Sequence, residues 1–238
     1  VNLRRVFPAV SEPIELGTPA ASAALDDLYR LPARHWSRIN LVTSVDGSAA
    51  GADGTSSSLT AGADRRVLGA IRREADIVLV GAASVRAEGY QLPKTAPLAI
   101  VTASGDLSGH AVPRDVDAGR VVVLCTAASA GRARATLGVP SAEIVELPAV
   151  DGVIAAADIL GALRQRGHES IVCEGGPLLA SRLLDAGLVD ELCLTTAPVV
   201  VAGQPSLLSV ERHASLELRQ LLIDDLGVTF ARWAVAVS

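Results

Sequence analysis

Four short runs of almost unbroken apolar residues set the fold class of this chain. They are Asp76-Ile77-Val78-Leu79-Val80, Leu98-Ala99-Ile100-Val101-Thr102, Val121-Val122-Val123-Leu124-Cys125 and Ser170-Ile171-Val172-Cys173. Strands without polar alternation are covered on both faces, as in parallel sheets. Between the runs lie stretches with helical character. Ala63 to Glu74 carries an apolar stripe of Val67, Leu68 and Ile71, flanked by Arg65, Arg66, Arg72 and Arg73. Further helices are expected from Ser84, over Ala127 to Leu137, over Asp151 to Arg166 with Gly167 ending it, and from the last run to Ala186. Such alternation predicts an α/β chain with a mostly parallel central sheet and helices on both faces.

The ends of the chain differ from this pattern. Residues 1–20 are Pro-rich and predict an irregular surface arm, and Ser22 to Leu31 a short helix with Ser22 as N-cap and Pro32 past its end. Residues 1–37 are thus expected to pack on a single domain spanning 38–238. Arg38 to Val45 reads as the first strand of that domain and Asp46-Gly47 as a turn. Ser48 to Thr60 is small, polar and Gly-rich, too long for a simple hairpin and therefore a functional loop. Glu143 to Leu147 is a short strand. Glu191 to Thr196, Leu216 to Ile223 and Val228 to Val237 are strands without helices between them, which predicts antiparallel C-terminal strands at a sheet edge.

Composition narrows the function. Half of the 238 residues are apolar but only 3% are aromatic, so the core is built from Val, Leu, Ile and Ala. The net charge is −5 and there is no basic block, which argues against a nucleic-acid partner. Cys125, Cys173 and Cys193 sit in apolar runs, odd in number and without metal spacing, and read as buried thiols of a cytoplasmic protein. No run approaches the roughly 18 apolar residues of a membrane span, and no signal peptide is visible. There is no Gly-x-Gly-x-x-Gly after the first strand, no Walker lysine and no zinc spacing. The four histidines fall in loops or at element ends.

In an open parallel sheet, ligands sit beyond the carboxyl ends of the strands. Here those ends carry Asp46 and the Ser-rich loop, then Gly81-Ala82-Ala83-Ser84, then Thr102-Ala103-Ser104, then Glu174-Gly175-Gly176-Pro177. The last reads as strand, glycine turn and helix start. Glycines let a backbone approach a ligand closely, Pro177 suits a first helical turn, and the free N–H groups of that turn would face an anion such as a phosphate. Glu174 would repel a phosphate, so it is expected to face away, toward hydrogen-bond donors. Asp46, at a strand end beside the pocket, is expected to donate a proton or to anchor a polarised C=N bond, because a carboxyl in an apolar pocket can have its pKa raised enough to donate near neutrality.

An ordered set of segments carries a resemblance. It comprises Asn40-x-x-x-Ser44-x-Asp46-Gly47, Thr60, Arg65, Val80-Gly81-x-x-Ser84-Val85, Glu174-Gly175-Gly176-Pro177-x-Leu179, Ala186-Gly187-Leu188-Val189-Asp190-Glu191-Leu192 and Ala197-Pro198. From Ile39 to Gly203 the chain resembles the reductase domain of riboflavin biosynthesis, which has a dihydrofolate-reductase-like fold. With no deaminase domain preceding it, the resemblance is to a stand-alone reductase. It implies reduction of a ribosylamino-pyrimidine phosphate by NADPH, and a homodimer. It also implies roles. Gly176, Pro177, Leu178, Leu179, Ala180, Ser181 and Arg182 would hold the pyrophosphate, with Gly175 also contacting the cofactor. Ser58, Ser84, Glu88 and Ser104 would contact the cofactor, and Thr60, Val80 and Gly81 the nicotinamide and its ribose. Asn40, Ser44, Ser56, Arg72, Leu92 and Glu174 would contact the substrate.

Two departures stand out. The family commonly has a basic residue after Asp-Gly, where this chain has Ser48. Its Asp-Asp-Pro-x-Leu-Thr-x-Arg segment is here Ala87-Glu88-Gly89-Tyr90-Gln91-Leu92-Pro93-Lys94. Fewer cations weaken the grip on a ribose phosphate. Reduction of dihydrofolate is therefore an alternative substrate reading, and a non-catalytic NADPH sensor an alternative of another class.

Overall fold

The structure, a computed structural model, describes residues 1–60, 62–203 and 206–236. Val237, the end of the expected last strand, lies outside the described residues. In chain order the strands are β1 (Asn2–Phe7), β2 (Ile14–Glu15), β3 (Trp36–Ser44), β4 (Ile77–Gly81), β5 (Leu98–Thr102), β6 (Val121–Cys125), β7 (Glu143–Glu146), β8 (Ala149–Val150), β9 (Val153–Ile154), β10 (Ser170–Cys173), β11 (Glu191–Ala197), β12 (Leu216–Asp224) and β13 (Thr229–Val235). The helices are α1 (Pro19–Tyr29), α2 (Asp64–Arg73), α3 (Ala82–Glu88), α4 (Ala130–Leu137), α5 (Ala156–Arg164) and α6 (Pro177–Asp185).

Eleven strands form one sheet in the order β2-β1-β12-β13-β11-β3-β10-β4-β5-β6-β7. From β11 to β7 neighbouring strands are parallel, and from β11 outward through β13, β12, β1 and β2 they are antiparallel. The apolar runs explain the layers. Ile77 and Leu79 of β4 pack with α5 and α6 on one face, while Val78 and Val80 pack with α3 and α4 on the other. α1 and α2 cover the antiparallel half on that second face through Leu25, Tyr29, Val67 and Ile71, which pack against Leu222 and Phe230.

Three expectations need correction. The supposed arm contains β1, which pairs antiparallel with β12 and buries Leu3 completely. Its helix starts earlier than expected, with the Thr18 side chain accepting the Ala21 amide and Pro19 in the first turn. The helix expected from Asp151 begins only at Ala156. Asp151-Gly152 instead turns the small β8–β9 hairpin, both residues at positive φ.

The order of strands matters for function. β10 lies between β3 and β4, so the ends of three parallel strands come side by side where the chain reverses its direction across the sheet. At the opposite, N-terminal ends of β3 and β11 sits a buried charge cluster. Arg38 and Arg232 each donate to Glu191, at 2.5 and 2.6 Å, which ties β3, β11 and β13 together.

Candidate active site

The glycine turn after β10 packs directly on the end of β4. The Gly81 amide donates to the Gly175 carbonyl at 2.8 Å, and the Glu174 amide to the Leu79 carbonyl at 3.0 Å. Gly175 has φ +129°, a conformation that L side chains rarely adopt. A Cβ on Gly176 would stand 2.8 Å from Ser84 Oγ on α3. The glycine pair therefore satisfies both a backbone angle and a close approach.

Two clefts meet at this turn, and Gly176 lines both. The first has a volume of about 250 Å³. Asn40 of β3, Asp64, Arg65 and Arg72 of α2, Ser56 and Thr60 of the Ser-rich loop, Ser84, Glu88, Tyr90 and Glu174 contribute its polar groups. The second, of about 280 Å³, is more apolar. Ala82, Val101, Ile154, Ile159, Leu178 and Leu179 line it, with polar groups from Arg86, Thr102, Ser104 and Arg182. Pro177 opens α6 and has no N–H. The first-turn amides of Leu178 and Leu179, which have no acceptor within the helix, therefore belong to residues lining the second cleft. A run of glycine backbone, free amides and two arginines suits a phosphate-bearing ligand.

In the first cleft the strongest interaction is an ion pair. Arg72 donates from Nε to Glu174 Oε1 at 2.7 Å and from Nη2 to Oε2 at 2.6 Å, a bidentate pair. Tyr90 donates its hydroxyl to Oε2 as well, and accepts from Arg72. Burial opposes the charge on Arg72, but the hydrogen bonds and charge of Glu174 outweigh it and hold its pKa above the ordinary value. Burial, then the Glu174 charge, pushes the Tyr90 phenol well above its usual range. Glu174 lines the cleft as expected, yet its oxygens are engaged by the protein's own donors. The picture of a glutamate open to a substrate's N–H groups is corrected accordingly.

Asp46 is also corrected. It is exposed, lines neither cleft, and accepts hydrogen bonds from Ser44 Oγ at 2.5 Å and the Val201 amide at 3.0 Å. The Ser44 hydroxyl first, and the Val201 amide next, lower its pKa. A carboxyl so placed does not hold a proton near neutrality. The first cleft does hold a buried carboxyl that no guanidinium clamps, Asp64, which is 9% exposed. Desolvation raises its pKa, the nearby Thr195 hydroxyl opposes that rise, the Glu174 charge adds to it and Arg65 opposes it, with a net increase.

The expected residues fall into three groups, with Gly176 shared by the first two. Asn40, Ser56, Thr60, Arg72, Ser84, Glu88, Glu174, Gly175, Gly176 and Pro177 come together in the first cleft. Gly81, Ser104, Gly176, Leu178, Leu179 and Arg182 come together in the second. The others line neither. Val80 and Ala180 are wholly buried core residues, and Leu92 packs against the core on the α3 side. Ser44 is buried behind Asp46, and Ser58 spends its hydroxyl on Asp53 at 2.6 Å. Ser181 bonds back to the Pro177 carbonyl at 2.8 Å. Sequence reasoning missed Asp64, Tyr90 and Arg86. Among the described residues there is no cluster of potential metal ligands, and no helix is long and apolar enough to cross a membrane. The three cysteines are buried and free, with Cys173 and Cys193 both pushed up to about 12 by burial.

Residues 35–230 match the family described as RibD C-terminal domain. Several solved structures are similar. A pyrimidine reductase-like protein from Corynebacterium diphtheriae superposes with a TM-score of 0.73 at 22% identity, over 90% of this chain and 99% of that one. A diaminohydroxyphosphoribosylaminopyrimidine deaminase/5-amino-6-(5-phosphoribosylamino)uracil reductase from Thermotoga maritima gives 0.68 at 19%, over 84% of this chain but 56% of that one. The riboflavin biosynthesis reductase Rib7 of Saccharomyces cerevisiae gives 0.65 at 14%, over 84% and 90%. No curated protein sequence gives a significant match. At these identities the superpositions establish the shared fold.

Proposed function

We propose that this chain, which belongs to the RibD C-terminal domain family, is an NADPH-dependent reductase of a heterocyclic substrate in the riboflavin pathway, a ribosylamino-pyrimidine phosphate. The observation that carries the reading is the junction of the two clefts at Gly176. A dinucleotide along the second cleft would bring its reactive end to a heterocycle held in the first. NADPH, when bound, supplies the hydride. The chain's own residues do the rest. The turn at Gly175 and Gly176, with the amides of Leu178 and Leu179, would cradle the pyrophosphate, and a Cβ at Gly176 would crowd that cradle against Ser84. Arg86, Arg182 and Ser104 line one pocket, and two guanidiniums beside a hydroxyl suit a 2′-phosphate, which favours NADPH over NADH. The walls of the first cleft orient the acceptor carbon and exclude water.

A second substrate reading has its own support. Arg72 is committed to Glu174, and Arg65 is then the guanidinium of the first cleft that makes no ion pair with a described residue. A cleft with so few free cations also suits dihydrofolate. Steady-state assays following NADPH absorbance with each substrate discriminate the two. Turnover of the pyrimidine phosphate supports the first reading, turnover of dihydrofolate alone the second, and tight NADPH binding without oxidation of either would leave a sensor. The same reading makes the protein a cytoplasmic homodimer, for which sedimentation should give twice the chain mass.

A further inference from the structure

We propose that Asp64 is the acid of the first cleft, giving its carboxyl proton to the nitrogen of the substrate's C=N bond as hydride reaches the carbon. The assignment rests on the reductase reading and adds to it a catalytic residue that nothing in the chain's motifs marks.

Placement carries the argument. Asp64 is the first residue of α2, and the start of that helix is fixed by the antiparallel half of the sheet on which it packs. Asp224, at the end of β12, accepts the Ala63 amide at 3.0 Å and the Leu226 and Val228 amides at 2.9 and 3.0 Å. Its own carboxylate is spent on backbone donors, and it holds the neighbouring Asp64 in position. Asp64 is buried yet lines the first cleft, in which the glycine turn also lies.

The groups around it decide its protonation. Thr195 of β11 offers a hydroxyl, Arg65 follows on the same helix, and Glu174 approaches from the end of β10 with its charge matched by Arg72 and its second oxygen shared with Tyr90. Glu88 lines the cleft from α3 and is exposed. Burial first, and the Glu174 charge after it, raise the Asp64 pKa against the opposing pulls of Thr195 and Arg65. Of the three carboxyl groups in the cleft, two are buried and in contrasting settings, Glu174 clamped by a guanidinium and a phenol, Asp64 with no such clamp. Such contrast separates the proton-bearing group from the charged one. Asp46 is outside the cleft and its proton is held less tightly than usual.

The step balances. In the pyrimidine phosphate the ribosylamine ring first opens: its C1–O bond breaks, the amino N–H proton passes to the departing ring oxygen, and the C=N bond forms; in dihydrofolate that bond is already present. The hydride's electron pair then forms the new C–H bond, the π pair of the C=N bond moves to nitrogen, and the Asp64 O–H bond breaks to give the new N–H. The nicotinamide is oxidised and the substrate reduced by two electrons. The Asp64 carboxylate left behind regains a proton from water entering the open cleft.

The test compares wild type, Asp64→Asn and Thr195→Val with NADPH and either the phosphoribosylamino-uracil or dihydrofolate. Asp64→Asn should keep wild-type NADPH affinity, measured by fluorescence titration, while kcat falls by about 10²-fold or more. The wild-type rate should decline as pH rises through the Asp64 pKa, and that decline should be absent in Asp64→Asn. Thr195→Val removes a hydroxyl that favours the carboxylate, so its decline should shift to higher pH. A readout without any ligand accompanies these. The folded state holds the Asp64 proton more tightly than the unfolded chain does. Stability in urea should therefore fall as pH rises from the ordinary carboxyl value through the folded pKa, and Asp64→Asn should remove that part of the fall. Wild-type turnover with an equally active Asp64→Asn of unchanged pH profile would overturn the assignment alone, as would a stability profile that the substitution leaves unmoved. A wild type that oxidises NADPH with neither substrate would overturn the reductase reading itself.

Discussion

Replacing Arg72 by methionine tests how the first cleft is held together. Methionine keeps much of the apolar stem and removes the charge. The Glu174 side chain is 5% exposed and that of Arg72 23%. The substitution would leave a buried carboxylate with the Tyr90 hydroxyl as its remaining side-chain donor. Breaking a buried ion pair by removing one partner costs about 3–5 kcal/mol. Arg72 keeps some contact with water, so the lower end applies, about 3 kcal/mol or roughly a 10²-fold loss in the folding equilibrium. The double variant Arg72→Met/Glu174→Gln removes the orphaned charge, and its amide can still accept from Tyr90. It should regain all but about 1 kcal/mol. Urea unfolding at neutral pH, with unchanged dependence on denaturant, measures both. A single variant costing less than about 1 kcal/mol would place the pair among ordinary surface ion pairs. A double variant no better than the single one would also refute the reasoning, because the cost would then not come from the stranded charge.

Other substitutions report on other parts of the account. Gly175→Ala forces a side chain onto φ +129° and should cost about 1–3 kcal/mol in thermal or urea unfolding, with NADPH affinity reduced as well. Arg182→Ala and Arg86→Ala should weaken NADPH binding more than NADH binding, and flatten its salt dependence, in titrations with the two nucleotides. Asp46→Asn should leave kcat unchanged. Its lowered carboxyl pKa stabilises the fold above the unfolded value, and that contribution is lost as pH falls through the folded pKa. Wild type should therefore lose stability in acid more steeply than Asp46→Asn.

The legible parts of the fold were those fixed by local pattern. β5, β6 and β10 begin and end at the residues where the apolar runs do, because strands covered on both faces leave no polar interruption. β1 was illegible for the opposite reason. Of its six residues only Leu3 is fully buried, and the strand exists because β12, far along the chain, offers it an edge. The glycine turn, the helix start at Pro177 and the gathering of small polar residues at one sheet edge were readable from spacing. The partners of individual side chains were not. Glu174 meets Arg72 across 102 residues of sequence, and Asp64, an acid at the first position of a helix, looks like an ordinary helix-start residue. Its burial and its contact with Thr195 emerge only when β11 is laid beside β3. Asp46 misled because a strand-end carboxylate beside a turn reads as part of the pocket, whereas Ser44 and Val201 draw it outside.

Hydride transfer from NADPH to a heterocyclic acceptor, across the clefts that meet at Gly176, is the step on which the proposed function stands. It is tested most directly by incubating the protein with NADPH deuterated at the transferable nicotinamide position and the phosphoribosylamino-uracil, then analysing the product by mass spectrometry and NMR. The expected result is a ribitylamino product with one deuterium on the carbon bonded to the ring's amino nitrogen. Unlabelled product, or substrate and NADPH both recovered unchanged, would contradict it.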